Sequence, residues 1–152
     1  MKRVLINMVH DANCIFCKIV EGQIPASKVY EDDNVLAFLD LSQVTEGHTL
    51  VIPKNHVENI FSMNEETASV YFKKMPIIAN AIKKAFNVEG VNIINNSGVV
   101  SGQTVFHYHM HILPRYGKND GFDVKWQTNT ENYTNEHLQN IAKSIENNII
   151  KQ

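Results

Sequence analysis

The chain has 152 residues, 43% of them hydrophobic, and its 14 Lys and Arg against 16 Asp and Glu leave a net charge of -2. That length and apolar content suit one compact domain with a real core. No basic run or stripe is present to track a nucleic-acid backbone, and no apolar stretch approaches the ~20 residues that a membrane helix needs.

Taken in chain order, "MKRVLINMVHDANC" places Lys2 and Arg3 before a short apolar run broken by Asn7, with no small-residue cleavage site after it. A signal peptide is therefore not expected. Residues 1–12 are expected to form a flexible arm, residues 13–152 a single domain, and the location is expected to be the cytoplasm. "IFCKIVEGQIP" reads as a short helix stopped by Gly22, with Pro25 beyond it. "KVYED" and "NVLAFLD" read as the two strands of a hairpin turning at Asp32-Asp33, and "HTLVIP" as a third strand closed by Pro53. In "SMNEETASVYFKKMPIIANAIKKAF", Tyr71, Met75, Ile78, Ile82 and Ala85 recur at helical spacing. Ser62 and Glu65 resemble a capping box, and Asn64 is the other candidate N-cap. Pro76 predicts a kink in one long helix rather than two helices. "GVNIIN" is a fourth strand, "NSGVVSG" a loop, and "TVFHYHMHILP" a fifth strand ended by Pro114. The chain is irregular around Gly117 and Gly121, then ends in a helix with Leu138, Ile141, Ile145 and Ile149 on one face. Short links between strands favour antiparallel pairing. The expected class is α+β: a five-stranded antiparallel sheet with a long helix and a C-terminal helix on one face.

The fifth strand carries the chemistry. Side chains alternate across a strand, so His107, His109 and His111 share one face at about 6.6 Å spacing, while Phe106, Tyr108, Met110 and Ile112 share the other. The apolar face belongs on the long helix. The histidine face is left for solvent, a metal, or a phosphate attacked by one imidazole. The loop before it brings Asn96, Gly98, Gly102, Gln103 and Thr104 to its mouth, with no Asp or Glu. Amides, hydroxyls and bare glycine backbone offer donors to an anion without adding charge, which favours a phosphate cradle over a hard-metal cage. The only cysteines, Cys14 and Cys17, are spaced C-x-x-C. A reducing compartment disfavours a structural disulfide, so the pair reads as half a metal site or a redox pair.

"GQTVFHYHMHILP" closely resembles the H-x-H-x-H signature of the histidine triad (HIT) superfamily. "GHTLVIPKNH" (47–56) resembles its upstream strand, and "NCIFCKIVEGQIPASKVYEDDNVLAFLDLSQVTEGHTLVIPKNH" its N-terminal half. The resemblance spans about residues 13–116, with five segments in the right order. It implies a nucleotidyl hydrolase or transferase acting on the α-phosphate of purine nucleoside monophosphate derivatives: phosphoramidates, acyl-adenylates or dinucleoside polyphosphates. It implies His109 as the nucleophile that forms a covalent nucleotidyl-histidine, and a neutral imidazole is competent for this near pH 7. His111 is implied in phosphate contact and leaving-group protonation, His107 as the first triad member, and His48 as the histidine orienting the cluster. Asn96, Gly102, Gln103 and Thr104 are implied around the phosphate and leaving group, with backbone donors near them. Asp40 is implied at the ribose hydroxyls, against its plainer reading as a turn residue. Ile15, Phe16, Ile24, Phe38 and Leu39 are implied as the purine slot, against their reading as core.

The resemblance further implies a structural zinc on Cys14, Cys17, His56 and His107, a Cys2His2 set common in closed tetrahedral sites. It implies a homodimer joined through the long helix and a neighbouring strand, with the C-terminal segment, including Trp126, reaching the partner's site. The competing classes are a zinc- and nucleotide-binding scaffold with incidental hydrolysis, and a redox protein using Cys14 and Cys17. The redox class leaves the five aligned segments unexplained.

Overall fold

The computed structural model describes residues 8–149, which divide into two compact units between Phe122 and Asp123. The division falls inside the single domain expected over 13–152.

The first unit is built on one five-stranded sheet: β1 (Lys28–Glu31), β2 (Val35–Leu39), β3 (Thr49–Pro53), β4 (Gly90–Ile94) and β5 (Met110–Arg115). Its order is β1-β2-β3-β5-β4, and every pairing is antiparallel. Among the described residues, three α-helices accompany it: α1 (Ile15–Val20), α2 (Glu65–Phe72) and α3 (Met75–Phe86). The single kinked helix expected over this last stretch is two helices. Pro76 has no N–H to give and its ring would meet the carbonyl of Phe72, so the ladder stops there. Pro76 then sits in the first turn of α3, where a missing N–H costs nothing. The cap of α2 is Asn64, whose side chain accepts from the Thr67 N–H. Ser62 belongs instead to a short 3-10 turn, Ile60–Ser62, where Asn59 forms the capping box with it.

Helices cover both faces of the sheet, not one. Val35, Ala37, Val51, Tyr108 and Ile112 pack under Tyr71, Met75, Ile78 and Ile82 of α2 and α3. The alternate residues Leu36, Phe38, Leu50 and Ile52 pack under Phe16 and Ile19 of α1. This follows from β2 and β3, whose residues are buried on both sides, so each strand needs two apolar partners.

The arm expected over 1–12 is fastened where it is described, and residues 1–7 lie outside the described residues. Val9 donates to Asn55 Oδ1 at 2.7 Å, His56 N–H donates to the Val9 carbonyl at 2.7 Å, and Asp11 N–H meets Cys17 Sγ at 3.4 Å. The second unit holds α4 (Asn135–Asn147), capped by Thr134, whose side chain accepts from His137. Leu138 and Ile145 of its apolar face are exposed, as is Ile149 just beyond the helix, and Trp126 is largely exposed. Among the described residues, no helix is long and apolar enough to cross a membrane.

The turn from β2 to β3 depends on Gly47, whose φ is 90° and whose Cα faces the Phe86 ring so closely that a Cβ would overlap it. Gly47→Ala should therefore destabilise the protein by roughly 1–3 kcal/mol through backbone strain and that overlap. Urea unfolding of wild type and variant measures it. An unchanged midpoint would show that the turn tolerates a side chain.

Candidate active site

The extended run expected over 104–114 is regular strand only from Met110 onward. The two-residue alternation nevertheless holds from 107 to 112. Tyr108 and Ile112 face α2 and α3, while His107 and His109 meet Phe16 of α1, with ring centroids 5.9 and 5.3 Å away. Phe106, expected on the apolar face, is 39% exposed. The ladder fails before Met110 because those backbone groups have other partners. Tyr108 N–H donates to the Val57 carbonyl at 2.6 Å, the His109 carbonyl accepts from Asn95 Nδ2 at 3.0 Å, and the His107 carbonyl accepts from His109 Nδ1 at 2.7 Å.

That last bond assigns a proton. A carbonyl only accepts, so His109 carries its hydrogen on Nδ1 and keeps a bare lone pair on Nε2. Burial lowers the pKa of His109, which keeps it neutral at pH 7. His111 and His48 form a second pair, with His48 Nε2 at 2.8 Å from His111 Nδ1. His48 Nδ1 accepts from the Val44 N–H at 3.4 Å, so its hydrogen lies on Nε2 and is given to His111 Nδ1. His111 is then left with its own hydrogen on Nε2. Burial, and behind it the neighbouring His109 and His48, push His111 down to about 4, and burial lowers His48 as well. The rings of His109 and His111 lie 5.1 Å apart, centroid to centroid. The ring of His109, with its bare Nε2, therefore lies next to the ring of His111, a hydrogen-bond donor.

His107, expected among the catalytic histidines, meets His109 through its backbone carbonyl, while its ring is engaged elsewhere. It is fully buried. Its Nε2–H donates to the Pro53 carbonyl at 2.8 Å, and its Nδ1 faces Cys14 Sγ at 3.4 Å and Cys17 Sγ at 3.6 Å. With both ring nitrogens committed, it acts on the site only by offering its carbonyl to His109. His56 Nδ1 completes the group at 3.3 Å from Cys17 Sγ. The four ligand atoms of Cys14, Cys17, His56 and His107 all lie within 4.8 Å of one another and could hold a metal ion. Both cysteines are free, and burial pushes the Cys17 thiol up to about 11. Asp40, His48 and His111 are similarly close, but their 2.8 Å nitrogen separation is that of a hydrogen bond.

The remaining expected residues divide. Asp40 Oδ1 accepts the Ser42 N–H at 2.8 Å, a turn role, while Oδ2 lies 3.6 Å from His48 Nε2 at the site. Gln103 is buried, and its amide is spent inside the loop. Oε1 accepts from Gly98 at 2.7 Å, and Nε2 donates to the Glu58 and Val105 carbonyls at 2.7 and 3.1 Å. It braces the loop rather than presenting a free amide to a ligand. Gly102, with φ 92°, keeps its bare Cα beside the Asn96 amide, 3.9 Å from where a Cβ would stand, and Thr104 is exposed. Phe16 and Phe38 are buried edge to face at 5.6 Å, and Ile24 packs on the same cluster, so these are core first. Leu39 is half-buried and Ile15 about half exposed. Sequence reasoning passed over Asn95, which holds the His109 carbonyl, and Gln43, whose side chain binds the backbone around His48. Their amide neighbours offered no signal, because each role depends on a distant backbone group.

"Protein hit" of Bacillus subtilis is 59% identical over 133 residues, covering 88% of this chain and 92% of that protein. The crystal structure of a HIT family protein from Bacillus subtilis superposes with a TM-score of 0.89 at 56% identity, covering 92% and 99% of the two chains. The adenosine 5'-monophosphoramidase hnt1 of Schizosaccharomyces pombe is 38% identical over 114 residues, covering 75% of this chain and 83% of that one. The HIT domain family's sequence model itself matches residues 21–118, a span that opens after α1 and closes just beyond β5. A chain matched over most of its length in sequence and in backbone, with its three alternating histidines inside the matched span, belongs to the HIT domain family.

Proposed function

We propose that this protein is a nucleotidyl hydrolase or transferase that attacks the α-phosphate of purine nucleoside monophosphate derivatives through a covalent nucleotidyl-histidine on His109. One observation carries the reading: the His107 carbonyl holds the hydrogen of His109 on Nδ1 and leaves Nε2 bare, which is what a nucleophilic imidazole requires. A bond forms from Nε2 to phosphorus as the bond to the leaving group breaks with its electron pair. His111 Nε2–H offers a hydrogen bond to the departing atom or a phosphate oxygen, and water then cleaves the adduct. Loop donors around Gly98–Thr104 would stabilise charge gathering on the phosphoryl oxygens. The relative named an adenosine 5'-monophosphoramidase supports phosphoramidates as the class to test first. The test is turnover of adenosine 5′-phosphoramidate, with mass spectrometry of the alkali-quenched protein. A nucleotidyl adduct on the His109 peptide is expected; turnover with the adduct on another residue would defeat the assignment.

The reading includes zinc at Cys14, Cys17, His56 and His107. Bonds of about 2.3 Å to sulfur and 2.0–2.1 Å to nitrogen in a tetrahedron put S and N about 3.5 Å apart. The observed separations of 3.3, 3.4 and 3.6 Å fit that figure. The Pro53 carbonyl on the far nitrogen of His107 is the outer partner that orients a histidine ligand. It also includes a homodimer, with β4 as the outer strand beside β5 at which two sheets would join.

The alternative, a scaffold with incidental hydrolysis, is met by comparing phosphoramidate turnover with a His109→Ala control, while the ribose test asks whether the ligand is a nucleotide. Asp40 Oδ2 faces the site, so a ribonucleotide should beat its 2′-deoxy analogue. A hydrogen bond to a charged group contributes roughly 1.5–3 kcal/mol, or about tenfold to a hundredfold in kcat/KM. In Asp40→Ala the preference should collapse. Equal rates on both sugars in the wild type would leave Asp40 only its turn bond to Ser42.

A further inference from the structure

Gln43 stands in the turn between β2 and β3. Its Oε1 accepts the N–H of Gly47 at 2.8 Å and of His48 at 3.0 Å. Its Nε2 donates to the Asp40 carbonyl at 2.6 Å and the His48 carbonyl at 2.8 Å. Both hydrogens and both lone pairs of one amide are in use. A carboxylate of the same length has no hydrogens to give, and an ammonium has no lone pairs. These four bonds draw residues 40–48 into a closed turn whose ends carry Asp40 and His48. Inside that turn the N–H of Val44, the next residue, meets His48 Nδ1. The proton positions follow in sequence. The bond from Val44 leaves His48 protonated on Nε2. That hydrogen goes to His111 Nδ1, and His111 keeps its own hydrogen on Nε2.

We infer that Gln43 is a positioning residue: by closing this turn it fixes the tautomers of His48 and His111, and thereby makes His111 a hydrogen-bond donor toward the substrate. Without the staple, the Val44 N–H is no longer held against His48. The pair can then take the opposite tautomers by exchange with water: His48 gains a hydrogen on Nδ1, the shared proton passes to His111 Nδ1, and His111 gives its Nε2 hydrogen to water. That leaves a lone pair on His111 Nε2, which repels a phosphate oxygen instead of binding it. The catalytic consequence rests on the hydrolase reading above; the tautomers rest on the hydrogen bonds alone.

The experiment uses the full-length protein as purified, with its metal, labelled with 15N-histidine. Long-range proton–nitrogen spectra report which ring nitrogen carries hydrogen. In the wild type, His48 and His111 should both be protonated on Nε2 and bare on Nδ1. Gln43→Ala and the isosteric Gln43→Glu should mix or reverse that pattern while circular dichroism and melting temperature report an intact fold. On adenosine 5′-phosphoramidate both variants should lose kcat on the order of tenfold with KM changed by no more than about twofold, since Gln43 is assigned no contact with substrate. A wild type with either ring protonated on Nδ1 overturns the inference, as do folded variants that keep the wild-type pattern. The wild-type spectrum and the Glu variant keep the test decisive should the Ala variant not fold. If the wild type fails to turn over the phosphoramidate, the hydrolase reading falls, and the spectra still decide the role of Gln43.

Discussion

His109→Ala is expected to lose hydrolysis by at least on the order of a thousandfold, because removing the nucleophile removes the covalent route altogether. Binding of adenosine monophosphate should survive. The groups assigned to binding lie elsewhere: the Asp40 carboxylate, the loop of Gly98–Thr104 and the apolar residues of α1 and β2. Steady-state turnover of adenosine 5′-phosphoramidate and calorimetric titration of the product separate the two effects. The fold cost should be modest, since the His109 ring packs against Phe16 and its hydrogen bond to the His107 carbonyl is local, two residues back along the chain. A smaller variant, His109→Asn, retains a polar side chain and checks that the loss is chemical. Near-normal turnover in a pure preparation of either variant would remove His109 from its role.

The second large effect concerns the Cys14, Cys17, His56 and His107 group. Protein purified without chelators should carry about one zinc per chain by elemental analysis, as expected for a single closed site. A ligand held only by the native state stabilises it by mass action, about 4 kcal/mol at a thousandfold excess over Kd. For a chain of this size that corresponds to roughly 8–16 °C in melting temperature. Chelation should lower the melt by that order, and added zinc should restore it. The site also joins three segments far apart in sequence, so losing the ion leaves the buried His107 ring and two thiols without their common partner. Since His107 holds His109 through its carbonyl, turnover should fall along with stability. Metal-free protein that melts unchanged after zinc addition would overturn the assignment.

Much of this could be read in advance, and the reasons differ from residue to residue. That Tyr108 and Ile112 turn toward α2 and α3 while His107 and His109 turn to the other side followed from alternation alone, because side-chain direction in extended chain is a local property. The strand segments, the short α1 ended by Gly22 and the C-terminal helix were legible for the same reason. The break at Pro76 was half legible: the steric cause is local, but whether the helix bends or restarts depends on what packs beneath it. Tertiary structure alone decided the rest. It moved residues 104–109 off the strand ladder, because Asn95 and Val57 supply partners that no local pattern announces. It turned Gln103 inward as a brace and committed both nitrogens of His107, one to Pro53 and one to the cysteines. It put α1 on the face opposite α2 and α3. Residue types and their spacing determined which chemistry was available: three imidazoles in alternation, two thiols and an amide-rich loop. Only the folded chain decided which nitrogen of each ring carries the proton, because a tautomer is set by the hydrogen-bond partner, and the partners of His48, His107 and His111 stand at Val44, Pro53 and His48 across the sheet and its turns.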